Sequence, residues 1–288
     1  MGSLLAAELL KTRKRWMPYV LFLVMLAGVS MLIWLGGYLE WRSQDELEFQ
    51  AGALRTFAMP WSLQALLDSG QFWGAVLIGI LTASVVATEH NWGTVRQALI
   101  RGQTRSQYLA TKLAGLVIVS AALLLAALAV GIGFSVLATD LAGRPITLDV
   151  PGGPSVPEVG LMILRAGFGI LPYGLLAFFL TVVSRSTAVG AAGVLVYVIG
   201  EAITIAIFKD IGGLAGDLRS LFIGHNVNAL VAANHIGFGD YNSLAFRERP
   251  PDASDLPDVN AAALVIAIYC VILLATTFAI FQRRDIRA

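Results

Sequence analysis

"TEHNWGTVRQALIRGQTRSQYLATK", residues 88–112, is a polar and basic interval between two long apolar runs, and its reading decides how the rest of the chain is threaded. It carries Glu89, His90, Arg96, Arg101, Arg105 and Lys112. Thr94 followed three positions later by Gln97 has the spacing of a capping box, in which the threonine oxygen accepts from a free amide and the glutamine reaches back to the cap. A helix is predicted from Thr94 through VRQALIR, ending at Gly102, since a residue without Cβ suits the left-handed position just past a helix end. Thr104 and Gln107 repeat the box and start a second helix that runs on into the next apolar run. Val95, Ala98 and Leu99 fall on one side of the short helix, with Arg96 and Gln97 toward another, leaving one face for the protein body and one for a partner. The plain alternative is a solvated charged loop that serves topology alone.

The apolar runs on either side define the solvent. With 57% hydrophobic and 14% charged residues over 288, and a mean hydropathy of +0.75, the chain is far oilier than a soluble domain, which carries roughly 25% charge. Crossing a hydrocarbon core about 30 Å thick takes about 20 apolar residues in a helix. Six runs approach that length, at 17–38, 71–88, 113–138, 159–183, 187–207 and 260–281. The predicted fold is an all-α integral membrane protein with six transmembrane helices, a single permease-like domain over 1–288. The run at 17–38 exceeds the apolar core of a cleavable signal and lacks a small-residue cleavage site, so it reads as an uncleaved first helix.

Lys and Arg set the orientation. Placing both termini in the cytoplasm puts twelve of them inside and seven outside, with the inner ones beside short loops and span ends, where the positive-inside bias is strongest. Residues 1–16 are then a cytoplasmic amphipathic entry segment, 89–112 a cytoplasmic segment, and 39–70, 139–158 and 208–259 lie outside. In the last of these, Leu221, Phe222, Val227, Leu230 and Val231 could form one apolar helix face that lies on or dips into the outer leaflet, against the alternative of an ordinary folded loop.

Glu89, Gly93-Thr94-Val95-Arg96, Leu99-Ile100, Arg105-Ser106 and Lys112-Leu113 together resemble the stretch between spans two and three of ABC-2 type permeases, the membrane subunits of bacterial ATP-driven exporters. The chain departs from that pattern at Gln103-Thr104-Arg105-Ser106, where the family often has Pro-x-Ser-Arg. The opening AELLKTRKRW and the closing FQRRDIRA resemble the family's ends, so the likeness extends over the whole chain. It implies that Trp92 through Arg105 form a coupling helix docking on a separate ATPase, and that Glu89, Trp92, Gly93, Thr94, Arg96, Leu99, Arg101 and Arg105 serve that coupling. Arg96 and Arg101 would then face acidic groups of the ATPase, and Glu89 would pair with a basic residue of a neighbouring helix. It further implies a second copy or related permease, surrounding membrane lipid, and a place in the bacterial cytoplasmic membrane.

No G-x-x-x-x-G-K-[ST] occurs, and the lysines at 11, 14, 112 and 209 have no such setting, so no cofactor is expected in this chain; the resemblance then implies that ATP and Mg are bound by the partner ATPase. Cys270 has no second cysteine to pair with. His90, His225 and His235 lack metal-ligand spacing, and no Ser, His and acid set shares one side of the membrane. The basic segments are too short for nucleic acid. Two ionisable residues lie inside runs: Arg165 in the fourth and Glu201 in the fifth, each roughly 10 Å below the outer surface at 1.5 Å per residue. Buried charges in a bilayer pair, so an Arg165–Glu201 ion pair between the two helices is expected, as a clamp or as part of a substrate path. Gly190, Ala191, Gly193 and Gly200 would let helices approach closely, and Pro172 would kink the fourth span. The other class of function is an ATPase-independent membrane enzyme or ion-coupled transporter, which would carry several in-membrane acids or histidines. The substrate is not written in the sequence.

Overall fold

A computed structural model describes residues 2–26, 28, 34–148, 153–209, 218–234 and 256–283. Among these the regular structure is helical, and the helices run antiparallel in a bundle with two distinct ends. At one end, α1 (Gly2–Arg13) precedes α2 (Trp16–Met25). At the other, α3 (Gly36–Ser43) and α4 (Leu47–Phe57) form a hairpin over α5 (Ser62–Asn91). The chain returns through α5 to the first end, turns through α6 (Thr94–Ile100), and leaves along α7 (Arg105–Leu141). Then follow α8 (Val156–Ser184), α9 (Thr187–Lys209), a 3₁₀ turn (Arg219–Leu221), α10 (Ile223–Ala232) and α11 (Val259–Arg283).

Five helices have the length and apolarity to cross a membrane: Gln71–Glu89 within α5, and α7, α8, α9 and α11. The expected runs at 71–88, 113–138, 159–183, 187–207 and 260–281 lie in these five, and the helices outrun them. At 1.5 Å per residue the 37 residues of α7 reach about 55 Å, well beyond a hydrocarbon core of about 30 Å, so its first turns and its last stand outside it. The run at 17–38 differs. Among its described residues, α2 supplies an apolar helix of ten residues, and Leu26, Gly28, Trp34 and Leu35 take the wider π form; residues 27 and 29–33 lie outside the described residues. The expected outer loop 39–70 contains the last turn of α3, all of α4 and the first turns of α5, because Trp34, Phe57, Leu63, Leu66 and Leu67 bury against Leu128 and Met162.

Helix ends are set by local chemistry. Ser155 and Glu158 close α8 with a capping box, the Ser155 amide donating to Glu158 Oε2 at 2.6 Å. Asp258 Oδ1 accepts from the amides of Asn260 (2.9 Å) and Ala261 (3.3 Å) at the start of α11. Pro172 sits inside α8, whose helical assignment runs unbroken to Ser184. Where α9 crosses α8 and α5, a Cβ on Gly190 would collide with Thr181 Oγ1 and lie 2.9 Å from Ala83 Cβ. One on Gly193 would collide with Leu180, whereas one on Gly200 would meet nothing within 4 Å. Gly190→Val should therefore cost at least about 1–3 kcal/mol by overpacking, and Gly200→Val much less; thermal unfolding midpoints in detergent compare the two.

Candidate functional site

The short helix forms as the spacing predicts, over Thr94–Ile100, but its start is built differently. Gly93 takes a left-handed φ of 67°, where any side chain is strained, and lets the chain turn sharply out of α5. The Thr94 hydroxyl donates to the Glu89 carbonyl at 3.1 Å, satisfying an orphan acceptor at the end of α5 rather than capping α6, so the first expected capping box is replaced by a link between helices. At the other end Gly102 has φ 92°, with its amide donating to Leu99 O and that of Gln103 to Ala98 O, the paired bonds of a Schellman stop. The second capping box is present: the Gln107 amide donates to Thr104 Oγ1 and the Thr104 amide to Gln107 Oε1, each at 3.2 Å.

Beneath α6 lies a buried charge cluster. Glu89 ends its span only 2% exposed, facing Lys112 of α7, also 2% exposed, with Oε2 to Nζ at 2.8 Å. Lys112 forms a second ion pair with Glu8 Oε1 of α1. Lys11, one turn on in α1 and half-exposed, lies 3.2 Å from both Glu8 Oε2 and Glu89 Oε1. Tyr108 donates its hydroxyl to Glu89 Oε2 at 2.7 Å. All four carboxylate oxygens thus accept from a donor, and the two acids and two lysines cancel in charge, the condition under which a buried polar network is stable. Burial alone would lower the Lys11 ammonium, but the adjacent Glu89 and Glu8 carboxylates hold it above its ordinary range. Close approach of α1 depends on Gly115, where a Cβ would lie 2.9 Å from Glu8 Cγ. Three helices distant in sequence, α1, α5 and α7, are therefore tied at one point.

Other residues singled out in 88–112 divide into two sets. Arg105 is turned inward, donating to the carbonyls of Gln282 (2.5 Å) and Phe281 (3.4 Å) at the last turn of α11, where a cation also offsets the helix dipole. Tyr108 stacks on Phe281 at 5.8 Å between centroids. Leu99 packs with Val95 against the bundle. Arg96, Arg101 and Trp92 are exposed, and Arg15 sits over the Trp92 ring at 5.9 Å. The side chain of His90 lies outside the described residues. Glu8, Lys11 and Tyr108 are the members of the cluster that the reading of 88–112 does not single out; the Glu8-x-x-Lys11 pair at helical spacing is the local signal for the first two.

At the opposite end, the Arg165–Glu201 pair is absent and both residues serve α10 instead. Glu201 Oε1 accepts from the Gly224 amide at 2.8 Å at the start of that helix, and from Tyr197 OH at 3.3 Å. Arg165 Nη1 donates to Ala233 O at 2.8 Å and Asn234 Oδ1 at 3.2 Å just past its end. Similar depth put them on one level, but α10 folds between them, and its free amides and carbonyls are the nearer partners. An acid at its positive end and a base at its negative end match its dipole. Of the expected apolar face, Val227, Leu230 and Val231 are buried with Ile223 among α5, α8, α9 and α11, while Leu221 lies outside the helix and is 55% exposed. Among the described residues no group of three His, Cys, Asp or Glu could hold a metal.

Five long apolar helices with charge confined to their ends and to satisfied networks define an all-helical, multi-pass membrane protein. Residues 62–287, from α5 to beyond α11, match the family described as protein of unknown function (DUF2705), and the chain belongs to that family. The match takes in Glu89, Tyr108 and Lys112 but begins after α1 and its Glu8 and Lys11. No curated protein matches the chain.

Proposed function

We propose that this protein is the membrane-spanning permease subunit of an ATP-driven exporter of the ABC-2 type, in which a separate ATPase docks on α6. In this reading the apolar run 17–38 is a sixth span, both termini and α6 are cytoplasmic, and two permease chains work with two ATPases in a bacterial inner membrane. The observation that carries it is the mounting of α6. A short helix stopped by left-handed glycines at both ends sits on a charge cluster joining α1, α5 and α7, so a push on it moves three helices as one body. Arg96, exposed on the face away from the bundle, supplies a cation for an acidic groove on the ATPase. An apolar cavity of about 460 Å³ between α2, α5, α7 and α8, walled by Leu77, Leu81, Leu124 and Phe168, has the size of a small-ligand pocket and suits a hydrophobic cargo.

Tagged protein should copurify an ATP-hydrolysing subunit from its native membrane, and Arg96→Glu should reduce the recovered ATPase by about tenfold, the loss of roughly 1.4 kcal/mol. Transport by the lone chain would instead place it among ATPase-independent transporters. A cysteine at Gln97 that reacts only with reagent added outside the cell would reverse the topology and end the proposal.

A further inference from the structure

The charge cluster forms one wall of a cavity of about 310 Å³ whose lining also includes Thr94, Gln97, Ala98, Arg101, Gln103 and Thr111. Its polar groups do not balance. Both carboxylates are fully engaged with the two lysines and Tyr108, so no acidic oxygen is left for another cation. Donors remain. The Arg101 guanidinium has no hydrogen-bond or ion-pair partner among the described residues, and Lys11, half-exposed, uses two of its three ammonium hydrogens. Thr111 Oγ1 is buried with no partner, in a residue 8% exposed. Three cations against two carboxylates leave a single positive charge facing the cavity. The volume exceeds the roughly 30 Å³ of a water about tenfold and falls at the small end of ligand pockets. Trp16, Tyr19 and Trp92 are exposed at the same end of the bundle, as aromatic side chains are at the level of lipid headgroups.

We propose that this cavity is a binding site for a phosphate-bearing anion. The Arg101 fork meets two phosphate oxygens, Lys11 adds its third hydrogen, and Thr111 donates its hydroxyl to the same group. The anion can come from a phospholipid headgroup or from a soluble phosphate ester, since basic pockets at a membrane surface accept either charge source. The site is complete within one chain, so it stands apart from the presence of an ATPase and is tested without one.

Full-length protein in maltoside detergent is titrated with phosphatidylglycerol, with glycerol 3-phosphate and with uncharged diacylglycerol, binding being read by native mass spectrometry and by the unfolding midpoint. Wild type should retain one anion per chain, with affinity falling about tenfold in Arg101→Gln and by a smaller but measurable factor in Thr111→Val. Thr111→Val is nearly isosteric and removes only the hydroxyl, so it reports on the site even if Arg101→Gln fails to fold. Retention of phosphatidylglycerol alone assigns the site to a lipid, and retention of glycerol 3-phosphate as well assigns it to soluble phosphate esters. Equal binding by wild type and both variants, binding of diacylglycerol to the same extent, or binding of neither anion overturns the proposal.

Discussion

Lys112→Met is expected to destabilise the protein by about 3–5 kcal/mol, because it leaves two buried carboxylates facing each other with only the half-exposed Lys11 to answer them. Methionine fills the volume of the lysine stem, so the loss reports on charge rather than on a cavity. Lys11→Met should cost far less, since water screens that ammonium and Lys112 still serves both acids. The triple change Glu8→Gln, Glu89→Gln, Lys112→Met should recover much of the loss, as it removes the unpaired charges along with their partner. Unfolding midpoints in detergent measure all three. A Lys112→Met midpoint within a degree of wild type would show that the cluster does not hold α1, α5 and α7 together, and the mechanical argument for α6 would go with it.

Exchanging the charges at the other end, Arg165→Glu with Glu201→Arg, should be worse than either single change. An ion pair would be restored by the exchange. A bracket around α10 is inverted by it, with a cation at the positive end of the helix and an acid at the negative end. Each end then loses a charge-assisted hydrogen bond, about 1.5–3 kcal/mol, and the two losses should add because the ten residues of α10 separate them by about 15 Å. Hydrogen exchange locates the effect: amides of α10 should open while those of α5 and α8 stay protected. Rescue of stability by the double exchange would return the two residues to a direct pair.

These two ends show what could be read from residue order and what could not. Hydropathy placed five helices, because a span must satisfy its backbone internally and show apolar side chains to lipid, and both demands are met within about 20 consecutive residues. The start at Thr104, the stop at Gly102 and the extent of the short helix were equally legible, since capping and left-handed glycine act within a few residues. At 17–38 the described residues include the ten-residue α2 and π turns at Leu26, Gly28, Trp34 and Leu35, a local detail that hydropathy does not carry because an apolar average says nothing of which hydrogen-bond register the backbone takes. Thr94 was misjudged for a related reason: its spacing to Gln97 fits a cap, but Gly93 already turns the chain and frees the hydroxyl for Glu89 O.

Partner choice among buried charges was decided only by the tertiary structure. The sequence required that Arg165, Glu201 and Glu89 find something polar, since an unpaired charge away from water is too costly to keep. Which group that would be depends on elements far along the chain: on α10 folding back between α8 and α9, and on α1 lying against α7 over Gly115. Depth in the membrane is written in the count of residues, whereas proximity around the bundle is set by helix packing, and a linear pattern carries the first quantity and not the second.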